Sequence, residues 1–155
     1  MPESKVRGRP RSEDIDLVIV ESVLDIIAED GISKVTMEGV AQRAGVSKAS
    51  LYRRFPTKSD MAQAAVERMR QESPIIPSEG SAYERLLYLM EGTRAGIQKT
   101  RYGRIMLAVI STSHEHPELA QLVYNRILQP RRMRVREILE QGIEAGEFPS
   151  TLNID

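Results

Sequence analysis

Apolar residues recur three and four positions apart along most of the chain, a spacing that places them on one face of an α-helix. The first such stretch runs from Ser12 to Asp30, and Gly31 ends it. Its expected buried stripe consists of Ile15, Val18, Ile19, Val23, Ile26 and Ile27. No stretch of the sequence alternates apolar and polar residues as a strand would. The pattern therefore predicts an all-α protein.

Two short helices joined by a tight turn are predicted next, from Thr36 to Phe55. Thr36 and Ser47 precede the two helices and can cap them, because each hydroxyl can accept a hydrogen bond from a backbone N–H that lacks a partner. Gly45 separates the helices and can adopt the left-handed backbone that ends a helix. The residues expected to pack the angle between them are Val40, Ala41, Val46, Leu51 and Phe55. This arrangement predicts a helix-turn-helix.

A further helix is predicted from the capping residues Thr57 and Asp60 to about Glu72, with Met61, Ala65 and Met69 on one face. Two prolines and a terminal glycine interrupt the helical pattern over residues 73–80. We therefore expect a flexible basic arm at 1–11, a helix-turn-helix domain with its linking helix at 12–72, and a helical body at 81–155.

Helical periodicity resumes in the body after a capping box at Ser81 and Glu84. Four helical segments are predicted: 81 to about 100, 101–114, 117 to about 127, and 130–146. The residues of the first segment expected to face inward are Leu86, Leu87, Leu89, Met90, Thr93 and Ile97. The apolar residues that indicate the other three segments are Ile105, Met106, Leu107, Val109, Ile110, Leu119, Leu122, Val123, Met133, Val135, Ile138, Leu139 and Ile143.

Charge is segregated along the chain although 22 basic and 22 acidic residues balance overall. Residues 12–30 contain seven acidic residues and no basic one, whereas residues 31–58 contain six basic residues and only Glu38 as an acid. The residues expected to point outward from the second short helix include no acid: Ser47, Lys48, Ser50, Tyr52, Arg53 and Arg54. Such a surface suits phosphate oxygens and base edges. The alternative is a helical hairpin with a solvated basic face.

The amino-terminal arm has its own basic pattern, R-G-R-P-R, in which Arg7, Arg9 and Arg11 alternate with small or rigid residues. An extended backbone of this kind can carry arginines into a narrow, A·T-rich minor groove. The alternative is a loose tail that makes weak phosphate contacts or none.

The stretch V-A-Q-R-A-G-V-S-K-A-S-L-Y-R-R-F-P-T-K resembles the DNA-binding domain of the tetracycline-repressor (TetR) family of bacterial transcriptional regulators. The resemblance covers about residues 12–63 and includes the L-Y-x-x-F-x-x-K signature of that family. It implies a ligand-responsive regulator, most simply a repressor, that binds a palindromic double-stranded operator as a homodimer. The residues expected to contact phosphates are Thr36, Lys48, Tyr52 and Lys58, and those expected to face base edges are Ser47, Ala49, Ser50 and Arg53. Arg43 and the arginines of the arm complete the expected DNA-binding set.

The resemblance also implies a small-molecule effector cavity among the body helices. Apolar walls with a few polar tips suit such a cavity. The candidate lining residues are Met90, Thr93, Met106, Ile110, His114 and Tyr124. The alternative is that these residues merely fill the core.

The chain departs from the family pattern in length. Family members usually run further and end in two helices that form the dimer interface, whereas this sequence stops at Asp155. We therefore expect these two helices to be missing, which puts dimerisation and tight operator binding in question because one head contacts only a half-site. The alternative function is that of a truncated helical ligand-binding or interaction protein without productive operator binding.

Other functions find little support in the sequence. His114 and His116 lie two residues apart, a spacing that does not share a helix face, and the chain has no cysteine, so a metal site and a cofactor are not expected. No catalytic constellation indicates an enzyme. No apolar run is long enough to span a membrane, and the lack of cysteine is compatible with the reducing cytoplasm expected for a regulator. The basic run Arg131, Arg132, Arg134 and Arg136 is expected to form a solvated helix face with Glu137 and Glu140 as partners.

Overall fold

The computed structural model of the protein describes residues 12–73 and 75–154. Within these ranges the chain forms eight α-helices and no strand, which confirms the all-α prediction. The helices are α1 Ser12–Asp30, α2 Met37–Ala44, α3 Lys48–Arg54, α4 Lys58–Glu72, α5 Ala82–Lys99, α6 Arg101–Ser111, α7 Pro117–Val123 and α8 Gln129–Glu144. A 3-10 turn, Ile32–Lys34, follows α1, and a π-helical turn, Tyr124–Leu128, joins α7 to α8.

Local signals fix the helix-turn-helix as predicted. The Thr36 hydroxyl accepts a hydrogen bond from Gly39 N at 3.0 Å, and the Ser47 hydroxyl accepts one from Ser50 N at 3.2 Å. Gly45 has φ 67° and ψ 28°, the left-handed conformation that ends α2. Both expected N-caps and the expected turn glycine are therefore confirmed.

The starts of α4 and α5 are also confirmed, each by a complete capping box. The Thr57 hydroxyl accepts from Asp60 N, and the Asp60 carboxylate accepts from Thr57 N. Ser81 and Glu84 repeat the arrangement at α5. Each box satisfies two backbone donors that the helix itself leaves unpaired.

A continuous apolar core runs from the helix-turn-helix into the body. Side chains from α1, α2, α3 and α4 pack in one cluster with side chains from α6, α7 and the π-helical turn. The fully buried members of this cluster include Ile19, Leu24, Leu51, Met61, Met69, Ile105 and Val123. The head is therefore joined to the body through shared packing, and α1 contacts α2, α4 and α6.

Three residues expected to be buried are exposed instead: Val18, Leu87 and Met90. The apolar residues Leu107, Ile110 and Met133 are exposed as well. On α6 the buried residues are Ile105, Met106 and Val109, so Leu107 and Ile110 occupy the opposite flank. On α5 the buried side runs through Ala82, Arg85 and Leu89, which leaves Leu87 and Met90 outside it. The prediction for Val18, Leu87 and Met90 was wrong because α1 and α5 carry apolar residues on more than one side, and the neighbouring helices determine which side is buried.

Hydrogen bonds connect the first turn of α5 to the end of α8 and to the segment that follows it. Arg85, which is buried, donates to the Pro77 carbonyl at 3.0 Å and to Gln141 Oε1 at 2.8 Å. The Glu147 carboxylate accepts from Ala82 N and from Tyr83 N, each at 3.1 Å. The segment after α8 therefore holds the first turn of α5, where a carboxylate is also favoured by the helix dipole.

Gly142 provides a sharp test of this packing. A Cβ at Gly142 would collide with the ring of Phe148 and would stand 2.7 Å from Ala82 Cβ. We expect Gly142→Ala to lower the free energy of unfolding by about 2 kcal/mol, since a crowded core must shift to admit a methyl group. Urea denaturation followed by circular dichroism measures the change. Gly92→Ala is the matched control, because no atom lies within 4 Å of its added Cβ; equal losses from both variants would contradict the packing described.

Candidate nucleic-acid interface

The second helix of the helix-turn-helix has one buried side and one exposed side. Leu51 is fully buried, whereas its neighbour Tyr52 is 45% exposed. Lys48, Ala49 and Arg53 are also exposed, and Ser50 is half-buried. The burial of Leu51 fixes the rotation of α3 and thereby presents a cationic, hydroxyl-bearing side to solvent.

An ion pair joins the start of α2 to the start of α3, and α4 also begins with a cation. Glu38 in the first turn of α2 accepts a hydrogen bond from Lys48 Nζ at 3.0 Å. The pKa of Glu38 is lowered, chiefly by this bond from Lys48 and also by the charge of Lys58 at the start of α4. Thr36, Lys48 and Lys58 stand at the starts of α2, α3 and α4, and all three are exposed. A duplex that contacts all three helix starts meets cations from two helices.

Glu38 contacts one of the candidate DNA-binding residues, Lys48, and the sequence pattern does not predict this contact. It is the only acid among residues 31–58, and its carboxylate holds the ammonium of Lys48 in the free protein. A phosphate must compete with Glu38 for that ammonium. The sign of its charge within a basic stretch was the available signal, but the contact depends on the angle between α2 and α3.

Arg54 lies elsewhere than expected. The sequence predicts that Arg54 points outward from α3, but its side chain is only 15% exposed and forms an ion pair with Asp16 of α1. The physical reason is helical geometry, because a residue three positions after the buried Leu51 lies on the same side of the helix. Arg54 therefore joins α3 to α1.

Arg43 has a partner within the protein as well. Its guanidinium lies 2.7 Å from the Glu29 carboxylate of α1, and the hydrogen bond from Arg43 to Glu29 raises the pKa of Arg43. The predicted DNA contact of Arg43 stays a prediction, in which phosphate and Glu29 compete for one cation. The arm with Arg7, Arg9 and Arg11 lies outside the described residues.

Four acidic residues of α1 form ion pairs with arginines of other helices. Asp16 pairs with Arg54, Glu21 with Arg68, Asp25 with Arg101 and Glu29 with Arg43. These pairs connect α1 to α2, α3, α4 and α6. These four acidic charges of α1 are therefore neutralised by basic residues of neighbouring helices. Arg53, by contrast, makes no ion pair with any residue that the structure describes.

The body residues proposed for an effector differ in their surroundings. Met106 is buried, Thr93 accepts a hydrogen bond from Arg131 at 2.7 Å, and the other four are exposed: Met90, Ile110, His114 and Tyr124. A cavity of about 170 Å³ lies instead between α1, α4, α6 and α7, and none of the six lines it. Their role in effector binding stays a prediction.

Other sequence features have plain structural placements. Arg134 pairs with Glu137 at 2.8 Å and Arg136 with Glu140 at 3.0 Å, which confirms the expected partners for these two arginines. Arg131 departs from the expected solvated face, because it donates to Thr93 of α5. His114 is exposed and His116 is half-buried before α7. Within residues 12–73 and 75–154, no three histidine or carboxylate side chains are close enough to hold a metal ion, and no helix is long and apolar enough to cross a membrane.

Comparison with known proteins gives a consistent result over both halves of the chain. Residues 19–65 match the family described as bacterial regulatory proteins, tetR family, and residues 76–155 match the tetracyclin repressor-like C-terminal domain. The uncharacterized HTH-type transcriptional regulator YdeS of Bacillus subtilis is 29% identical over 149 residues, which cover 96% of this chain and 75% of YdeS. The uncharacterized HTH-type regulator Rv1556 of Mycobacterium tuberculosis is 29% identical over 82% of this chain and 62% of its own length.

A solved structure shows the same fold. MexZ, a repressor responsible for antibiotic resistance in Pseudomonas aeruginosa, superposes with a TM-score of 0.73 at 20% identity, over 92% of this chain and 74% of MexZ. A helix-turn-helix head on a helical body defines the class of DNA-binding transcriptional regulators. The chain belongs to the TetR family of these regulators.

Proposed function

We propose that the protein is a cytoplasmic repressor that binds a palindromic operator as a homodimer and responds to a small-molecule effector. The observation that carries the DNA-binding part is the exposed side of α3, set by the buried Leu51 and flanked by Lys48 and Lys58. The match to a repressor-like C-terminal domain supports the regulatory part. The same matches support a division into a head at 12–72 and a body at 81–155, and the protein is not an enzyme in this proposal.

Two kinds of DNA contact are assigned to the exposed head residues. Thr36, Lys48, Tyr52 and Lys58 hold phosphates, which position the head without selecting a sequence. Ser47, Ala49, Ser50 and Arg53 face base edges in the major groove, with Arg43 and the arginines of the arm as additional contacts. Two linked heads contact two half-sites, so dimerisation raises operator affinity through effective concentration.

Arg53→Ala is expected to reduce the preference for the operator over random duplex by about tenfold, because a base-edge contact discriminates by about 1–3 kcal/mol. Competition anisotropy with labelled operator and unlabelled random duplex measures this ratio. Arg53→Lys is the matched variant, since lysine keeps the charge but loses the planar two-donor geometry. Arg53→Lys should therefore retain random-duplex affinity while losing preference; an unchanged preference in both variants would remove Arg53 from the base-reading role.

Lys58→Ala is expected to weaken operator and random duplex equally and to reduce the slope of log affinity against log salt by about 1 for each bound head, because each head loses one phosphate contact. Salt titrations on both duplexes measure this slope. Arg134→Ala is the control, since it removes a cation from the ion-paired face of α8, away from the head. If Arg134→Ala lowered the slope as much as Lys58→Ala, overall charge rather than a phosphate contact at Lys58 would explain the effect.

A further inference from the structure

The cavity between head and body has walls from both parts of the protein. Val23, Leu24 and Ile27 of α1 and Met61 of α4 face it from the head side. The body contributes residues of α6 and α7 and the connection between them: Ile105, Val109, His116, Leu119 and Val123. Its volume of about 170 Å³ is close to that of an apolar cavity of about 150 Å³ that accepts benzene. The space therefore suits a single six-membered ring with a small substituent.

Among the lining residues that the structure describes, only Lys58 and His116 carry polar side chains. The His116 Nε2 atom is buried and has no hydrogen-bond partner among the described residues. An unpaired buried polar atom is costly, and each one calls for an explanation. A ligand that brings one hydrogen-bonding group to His116 into an otherwise apolar space would remove that cost.

We propose that this cavity binds a compact, uncharged aromatic alcohol, with phenol as the simplest probe. The ring would fill the apolar volume, and the hydroxyl would bond to His116 Nε2. A hydroxyl both donates and accepts, so it suits either protonation state of that nitrogen. A carboxylate is a poorer occupant because it would be desolvated by the apolar walls and because Glu115 and Glu118 line the adjoining outer groove together with Lys58.

A ligand in the cavity is expected to change the affinity for DNA; this expectation rests on the proposed function. The ligand would lie between α4, which follows the helix-turn-helix, and the body helices α6 and α7. Lys58 lines the cavity and is also one of the exposed cations assigned to the proposed DNA surface. A ring inserted here changes the packing of the first turn of α4 against the body, so phenol is expected to lower operator affinity.

The binding test needs no DNA. Isothermal titration calorimetry of phenol, and of toluene as a ligand of the same shape without the hydroxyl, is carried out on the full chain and on His116→Leu and His116→Gln. We expect His116→Leu to weaken phenol about fivefold and to leave toluene within about twofold, since one hydrogen bond is lost. His116→Gln should restore phenol binding, because an amide can donate or accept. Failure of phenol to bind the folded chain, or equal phenol affinity for all three proteins, would overturn the proposal.

A second pair of variants tests the location. Ala62→Leu places a larger side chain on the lining of the cavity, whereas Ala64→Leu makes the same change on a half-buried residue of α4 that does not line it. Ala62→Leu should weaken the binding of phenol and toluene alike, and Ala64→Leu should weaken the binding of neither.

The coupling to DNA is tested by titrating phenol into the complex of the protein with operator. Release of operator supports the coupling, and bound phenol without any release refutes it; absence of operator binding refutes the proposed function while the calorimetry still decides the cavity.

Discussion

Leu51→Ala is expected to lower the free energy of unfolding by about 3 kcal/mol, because it removes buried methyl groups and leaves a cavity. Leu51 is fully buried and packs in the apolar cluster that also contains side chains of α1, α2 and α4. The substitution also loosens the side of α3 that sets its rotation, so affinity for every duplex should fall. Urea denaturation measures the first effect and fluorescence anisotropy the second.

The chain provides a matched control for Leu51. Leu107 of α6 undergoes the same chemical change in Leu107→Ala, but it is 50% exposed. Surface substitutions of this kind usually change stability by about 0.5 kcal/mol or less. If Leu51→Ala cost no more than Leu107→Ala, α3 would not be anchored through Leu51 and the proposed DNA surface would lose its structural basis.

Arg101→Leu has the second large expected effect: it should lower the free energy of unfolding by about 2 kcal/mol at neutral pH. Arg101 begins α6 and lies 2.9 Å from both Asp25 of α1 and Glu72 of α4. It also pairs with Glu21 of α1. Removing one partner of a buried ion pair costs about 3–5 kcal/mol, and we expect less here because the Arg101 side chain is 25% exposed. Arg134→Leu, in an exposed pair on α8, should cost about 0.5 kcal/mol or less.

The pH dependence separates this electrostatic loss from simple loss of packing. Burial acts to raise the pKa of Glu21, but hydrogen bonds from Arg68 and Arg101 outweigh it, so the pKa is lowered. A carboxyl group with a lowered pKa stabilises the fold above its unfolded pKa of about 4.3, and this stabilisation is lost as the pH falls through the folded value. The difference in the free energy of unfolding between Arg101→Leu and the unchanged protein should therefore become smaller as the pH falls from neutral to about pH 3. A difference that stays constant over this interval would assign the effect to packing.

The ion pairs of Arg101 place an electrostatic link at the junction of head and body. They join α1 and α4, which support the helix-turn-helix, to the first residue of α6, while the apolar cavity lies between the same helices. Both features depend on how α6 sits against α4. A movement of the body that shifts α4, and with it the helix-turn-helix, must therefore change the Arg101 ion pairs, the shape of the cavity, or both.

The sequence predicts the local structure of the head well because its signals act over a few residues. Thr36, Ser47 and Gly45 determine caps and a turn through contacts within four positions, and the structure has them as expected. The partners of the charged residues could not be predicted in this way. Arg54 and Asp16 are 38 positions apart, and their contact depends on the packing of α3 against α1.

The body was harder to predict because its helices carry apolar residues on more than one side. Met90 and Ile110 fit a helical stripe as well as Leu89 and Val109 do, yet only the latter two are buried. Tertiary neighbours decide between such stripes. For the same reason the cavity, whose walls come from four helices and include His116, could not be located from spacing alone.

The most direct test of the central claim is fluorescence anisotropy of this chain with the duplex upstream of its own gene, with a random duplex as control and salt titrated in both. The account predicts tighter binding to the upstream duplex and an affinity that falls steeply with salt, as expected where lysines and arginines displace counterions. A folded chain that binds neither duplex at low salt, or binds both equally, would contradict the proposal that this helix-turn-helix recognises an operator.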